Sequence, residues 1–145
     1  MSIEIRDFAP YNVAEVLELW GRTPGIVLRD VDAPKPLTAY LARNPGLSFI
    51  AVDGSSVVGA ILCGTDGRRG YVQHLAVARS HRGQGIGRQL AMRAVEAFAM
   101  AGADKCHLML LADNVAAAEF WRRVGWQDRP DIRLMSHTYS GAPTA

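Results

Sequence analysis

Long hydrophobic runs are missing from this sequence. No apolar stretch reaches the roughly 18–20 residues needed to cross a bilayer, and the opening MSIEIRDF lacks the basic-then-apolar pattern of a secretory leader. A soluble, cytoplasmic chain without a membrane partner is the expectation. Cysteine is scarce: Cys63 and Cys106 lie far apart, each inside an apolar strand-like run, and read as buried thiols, not as a disulfide or a metal pair. Nothing else in the sequence points to a metal. Charge of one sign is in short supply as well. Sixteen Lys and Arg against 14 Asp and Glu leave a formal net charge of +2, too little to argue for nucleic acid, and no interleaved aromatics offer platforms for bases. Polar or repetitive tracts are absent, and 49% hydrophobic against 21% charged residues describes a globular chain. Its 145 residues predict one domain, 1–145, with room for a core of its own.

Hydrophobic periodicity orders the elements. Residues 2–6 alternate like a strand, and residues 11–20 set Val13, Val16, Leu17 and Trp20 on one helical face. Gly21, Pro24, Gly25, Pro34 and Pro36 then predict a long irregular connection into a short helix at about 36–43. Residues 47–53, 56–64 and 70–77 predict three strands of an antiparallel meander, the first two joined at Asp53-Gly54. The 86–101 segment repeats Ile86, Leu90, Ala91, Ala94, Val95 and Phe98 at helical spacing and closes at Gly102. A strand at 105–112, a helix capped by Asp113 or Asn114 and ended by Gly125, and two short terminal strands broken at Pro130 complete a mixed α/β order.

Glycine is concentrated at one place. HRGQGIGRQLAM, residues 81–92, carries three glycines within five positions, flanked by arginines, just ahead of the long helix. A strand, a glycine-rich turn and a helix N-terminus together aim backbone N–H groups and the positive end of the helix dipole at phosphate. Arg68, Arg69, Arg79, Arg82, Arg88 and Arg93 crowd the same third of the chain and favour a local anion. No Gly-Lys-Ser/Thr follows, which excludes the Walker loop. The dinucleotide fingerprint fits poorly, because the glycines are too closely spaced and the loop comes after a hairpin meander. A ligand-free turn would not need three glycines and two flanking arginines. A pyrophosphate carried by some other molecule remains.

The segment Arg82-Gly83-Gln84-Gly85-Ile86-Gly87 resembles the Arg/Gln-x-x-Gly-x-Gly/Ala signature of the GCN5-related N-acetyltransferase (GNAT) superfamily. Leu75-Ala76-Val77 resembles the end of that family's fourth strand, and NVAAAEFWRRVGW, 114–126, resembles its Asn…Ala…Phe-Tyr…Gly-Phe pattern. DGRRGYVQHLAV, KCHLMLLADN and FWRRVGW resemble the small bacterial YpeA-like acetyltransferases, a group whose acceptor the resemblance leaves open. The resemblance implies an α/β (α+β) fold: a mixed, mainly antiparallel twisted sheet of about seven strands with four helices, the fourth and fifth strands splayed around the cofactor. It implies acetyl-CoA as co-substrate, no metal, and transfer of the acetyl group to a primary amine of a small molecule or peptide by direct attack in a ternary complex. The cofactor-binding set it implies is the backbone of Leu75, Ala76 and Val77; the loop from Arg82 through Gly83, Gln84, Gly85, Ile86 and Gly87 to Arg88; and Asn114, Ala117, Phe120 and Trp121. Asn114 is equally a plain helix cap.

The chain departs from a common pattern of that family in two places. A tyrosine that protonates the leaving sulfur in many members is Trp121 here, with Tyr71 and Tyr139 as weak stand-ins, and a glutamate base falls on Met109. Candidates for handling the amine's proton are His107, Tyr71 and Gln73, a histidine titrating in the right range. Strand alternation predicts that Tyr71 and Gln73 share a face with Leu75 while His74 points the other way. Asp30 and Asp32, in the connection after the first helix, would attract a cationic amine or serve as ordinary turn residues, and Trp20 reads as core or substrate wall. Neither cysteine adjoins a convincing base, so no covalent intermediate is expected. The alternative of a different class is a non-catalytic acyl-CoA-binding or regulatory module. Sheet extension or strand exchange at the C-terminal end would build a homodimer.

Overall fold

Five apolar runs pair side by side into one sheet. The computed structural model describes residues 2–139 and divides the chain into two compact units, residues 1–111 and residues 112–145. The first holds β1 (Ile3–Asp7), α1 (Val13–Gly21), α2 (Pro34–Arg43), β2 (Phe49–Asp53), β3 (Ser56–Thr65), β4 (Gly70–Val77), α3 (Ile86–Met100) and β5 (Cys106–Leu108). The second holds α4 (Val115–Arg123). The sheet order is β1-β2-β3-β4-β5, antiparallel throughout except for the parallel β4–β5 pair.

Strand β3 is buried from Val57 to Gly64 because helices cover both of its faces. On one face a Cβ at Gly59 would meet Leu90 and Ile86 of α3, and on the other a Cβ at Gly64 would meet Tyr40 of α2. Val16, Leu19 and Trp20 of α1, Leu37 of α2, and Ile86, Leu90, Ala94 and Phe98 of α3 fill the two layers. On α1 the buried face contains Leu19, while Leu17, expected there, is half-buried.

One irregularity re-aims the side chains of β4. Leu62 lies opposite His74 and Cys63 opposite Val72, so Gln73 is an extra residue on this strand, a β-bulge. Its insertion shifts the alternation of β4 by one.

The sheet has five strands among the described residues, not about seven. No strand forms in residues 127–139, where Ile132, Leu134 and Met135 are exposed. Their period-two pattern has no ladder to join, and Pro130 offers no N–H to one. The terminal strand on which a homodimer would rest is therefore not formed there. Strand β5 is likewise three residues long, not eight: its ladder ends at Val72↔Leu108, and Met109, Leu110 and Leu111 beyond it are exposed.

Both cysteines are free thiols, Cys63 buried in β3 and Cys106 half-buried in β5. Burial pushes both thiols above their ordinary range, and Cys63 is further raised by Cys106. Iodoacetamide at pH 7.5 (a condition of about this value keeps an ordinary thiol partly ionised) should therefore leave Cys63 unmodified in the native protein and alkylate it once urea unfolds the chain. Rapid native labelling of Cys63 by mass spectrometry would contradict its burial.

Candidate functional site

The glycine-rich loop ends in the N-terminus of α3. Gly83 and Gly85 adopt φ of +78° and +80°, a region that L side chains rarely enter, and a Cβ at either would meet no atom within 4 Å. Gly85 caps α3 without a side-chain hydrogen bond, and the first turn carries no acid. The first helical donor with a partner is Gln89, to the Gly85 carbonyl at 3.0 Å. The N–H groups of residues 83–88 thus have no acceptor among the described residues, and no acid stands in the first turn of the helix they lead into. Exposed Arg88 adds positive charge in the same turn.

Two contacts that sequence reasoning did not find hold this loop. His81 Nε2 lies 2.9 Å from Asp53 Oδ2 at the end of β2, and its Nδ1 lies 2.7 Å from Ser80 Oγ, fixing the approach to the glycines. Arg82, expected to contribute charge, also folds back so that its Nε donates to the Val77 carbonyl at 3.1 Å. Arg93, at the edge of the arginine cluster, lies over the Phe49 ring at 5.0 Å and acts as packing.

Beside the loop, β4 is open on one side. Ala78 N–H donates to the Val58 carbonyl at 2.7 Å, so its main chain faces β3. Alternation turns the N–H and C=O groups of Val77 and Leu75 the other way, and those of Ala76, opposite Ala60, back to β3. Strand β5 pairs only with residues 70–72, so the outward side of residues 73–77 meets no strand. This is the expected splay of the two strands. The Leu75 main chain is available to a ligand there, the Val77 carbonyl is already held by Arg82, and Ala76 contributes no peptide group.

Near the point where the strands part lies a cluster of polar rings. Tyr71 sits directly across from His107, ring centroids 5.9 Å apart, both half-buried, and the Tyr71 hydroxyl lies 3.4 Å from Asp66 Oδ2. Gln73 Nε2 donates to the Tyr40 hydroxyl at 3.2 Å. His74 Nε2 meets Asp32 Oδ1 at 3.0 Å, and its ring lies 4.9 Å from the ring of Trp20. The bulge overturns the expected alternation: Gln73 and His74 both reach the side of α1 and α2, whereas Leu75, opposite Ile61, faces α3. Tyr40 was missed. The available signal was its place on the same helical face as Leu37 and Leu41. Burial pushes its phenol up, partly offset by the hydrogen bond from Gln73.

The two acids separate in role. Asp32 is 6% exposed, and its carboxylate accepts from Arg29 N–H at 3.0 Å besides meeting His74, so it is committed within the protein. Asp30, two residues earlier in the same short turn, is exposed. Trp20 is fully buried and is core, although its Nε1 finds no acceptor among the described residues.

In the second unit, Asn114 caps α4 by accepting from Ala117 N–H at 3.2 Å. Trp121 is buried and packs edge-on against Phe120 at 5.2 Å and Trp126 at 4.9 Å.

Comparison with known proteins agrees with this geometry. The family model described as Acetyltransferase (GNAT) family matches residues 13–126. Acetyltransferase SG1711 of Sodalis glossinidius (strain morsitans) is 31% identical over 134 residues, covering 92% of this chain and 93% of its own. Among solved structures, the PaiA N-acetyltransferase of Thermoplasma acidophilum in complex with coenzyme A superposes with a TM-score of 0.76 at 19% identity, over 88% of this chain and 91% of that one. A chain of the NatC complex bound to Gag peptide and CoA does so with a TM-score of 0.73 at 25% identity, over 86% and 84%. The open run of N–H groups at α3, the parted strands beside it and the matched family model lead to one conclusion: this chain belongs to the GNAT family of acetyltransferases.

Proposed function

We propose that the chain works as one domain over residues 1–145 and as an acetyl-CoA-dependent N-acetyltransferase, moving the acetyl group to a primary amine by direct attack in a ternary complex. The observation that carries this is the unpaired N–H run of residues 83–88 beside the open edge of β4. Acetyl-CoA supplies an activated thioester and a diphosphate. Gly83, Gln84, Gly85, Ile86, Gly87 and Arg88 would hold the diphosphate through their N–H groups, Arg82 and Arg88 adding charge. Leu75 would present its main chain to the acetyl end, where a fixed N–H stabilises developing negative charge. Asn114, Ala117 and Phe120 would line the pantetheine, with Trp121 as supporting packing.

The amine must lose a proton to become a nucleophile. Tyr71 and His107, adjacent across β4 and β5, would take it, directly or through water, with Gln73 orienting the acceptor. The departing thiol, with an ordinary pKa of about 8.5, needs no dedicated acid, which makes the missing tyrosine tolerable. Burial withdraws Cys63 and holds the half-buried Cys106 thiol above its ordinary range, which disfavours either as the nucleophile of a covalent intermediate. The acceptor belongs to small-molecule or peptide amines. Asp30, not Asp32, keeps a carboxylate exposed toward a cationic one.

Calorimetric titration with acetyl-CoA, NAD and CoA lacking its 3′-phosphate tests the first half. Thiol release with a free-α-amine tetrapeptide, an N-acetylated lysyl peptide, spermidine and an aminoglycoside tests the second. Binding without turnover of any amine would favour a non-catalytic acyl-CoA-binding module, and failure of folded protein to bind any CoA species would sink the reading. With the best amine, Tyr71→Phe and His107→Gln should each lower kcat about 100-fold or more at unchanged acetyl-CoA affinity.

A further inference from the structure

The α1–α2 connection, residues 22–33, is built almost wholly from local contacts. Its backbone hydrogen bonds run from Arg22 to Leu19, Thr23 to Trp20, Ile26 to Thr23, Asp32 to Arg29 and, at its last residue, Ala33 to Asp30, none of them to a strand. Its side-chain bonds are equally local, Arg22 to Glu18, Thr23 to the Leu19 carbonyl, and Arg29 N–H to Asp32. Val27, Leu28 and Val31 are exposed, so apolar burial does little to hold it. Among the described residues, one hydrogen bond joins this connection to the sheet: Asp32 Oδ1 to His74 Nε2, 3.0 Å, with side chains 8% and 17% exposed.

That bond lands beside the reacting edge. His74 immediately precedes Leu75, whose main chain faces the open side of β4, and in its register opposite Leu62 it faces the side of α1 and α2, which the bulged Gln73 before it also reaches. Gln73 meanwhile bonds Tyr40 of α2, the helix that the connection leads into. Two consecutive residues of β4 therefore pin the connection and the helix after it. The ring of His74 also lies tilted against buried Trp20, 4.9 Å between centroids, so its orientation is set from two sides.

We propose that the Asp32–His74 bond is a latch that fixes residues 22–33 as the acceptor-side wall over β4, and that His74 serves the reaction by positioning this wall, not by taking the amine's proton. The inference rests on the N-acetyltransferase reading for its kinetic consequence, but not for the latch itself. Val31, next to Asp32 and exposed, becomes the side chain the latch presents to an acceptor.

The test uses the full chain and two substitutions at one position. His74→Leu fills the space without a donor, while His74→Gln places an amide N–H near the former Nε2 and keeps the bond. Hydrogen–deuterium exchange of residues 22–33 should rise about tenfold or more in His74→Leu and return toward wild type in His74→Gln, the scale expected when a bond to a charged group is lost. With the free-α-amine tetrapeptide as acceptor, KM should rise about tenfold in His74→Leu with kcat within about twofold, and acetyl-CoA affinity should hold. Unchanged exchange and KM in His74→Leu overturn the latch. A collapse of kcat in both variants at constant KM also overturns it, by making His74 the base. If His74→Leu does not fold, Asp32→Asn carries the same measurements. Wild type that turns over no amine would refute the transferase reading, while the exchange result would still decide whether the bond holds the connection.

Discussion

Gly85→Val should abolish measurable acetyl-CoA binding in a protein that remains folded. Gly85 sits at φ +80° as the cap of α3, where a β-branched residue costs about 1–2 kcal/mol in backbone strain. No heavy atom lies within 4 Å of the added Cβ, so strain is the whole structural penalty. The ligand meets a larger one. A side chain there stands in the space the N–H groups face, and relaxing the strain re-aims the peptide groups on either side. Losing two charge-assisted hydrogen bonds at about 1.5–3 kcal/mol each weakens binding roughly a hundredfold to ten-thousandfold. Gly46→Val is the matched control, because Gly46 also has positive φ, +77°, and open space but lies between α2 and β2. Calorimetry should show acetyl-CoA affinity lost in the first and kept in the second. Equal retention in both would mean that residues 83–88 do not hold the diphosphate.

Gly70→Ala should be among the most destabilising single-methyl additions the chain can take. Gly70 opens β4 and pairs with Cys106 of β5, and its added Cβ would stand 2.5 Å from Phe98 Cδ1 and 2.7 Å from Cε1. Phe98 is 1% exposed on α3, so its ring is enclosed by the core. Either the ring or the strand must move, at a cost of about 1–3 kcal/mol by the usual measure of overpacking. Urea denaturation reads this as a lower midpoint at unchanged slope. Phe98→Leu removes the obstacle, so the double variant Gly70→Ala/Phe98→Leu should be more stable than the sum of the single losses predicts, by about 0.5 kcal/mol or more. Strict additivity would show that the two positions do not collide.

The readable parts of the sequence were those written locally. The glycine loop and α3 follow from residue identity and a 3.6-residue period over one segment, and the meander follows from the Asp53-Gly54 turn between apolar runs. The bulge was not legible, because whether Gln73 is an extra residue depends on which β3 residue stands across from it. An alternation rule applied across that point put Tyr71 and Gln73 on the face of Leu75, whereas they lie on the side of His74. The partners of Asp32, Tyr40 and Asp53 lie 42, 33 and 28 residues away, distances at which one sequence carries no signal of contact. The eight-residue reading of β5 failed for the same reason. Apolar character gives a segment the capacity to be a strand, and a neighbour gives it the ladder.

The early end of the β4–β5 ladder also sets stability against activity. Residues 105–112 have the composition to run farther along β4, and doing so would satisfy more main-chain groups of residues 73–77. A chain that zipped these strands together would gain cohesion and lose the edge proposed above to meet the acetyl end. Selection for heat resistance alone would favour closing this seam, and the sequence that does so should be a sturdier protein with nothing left to do.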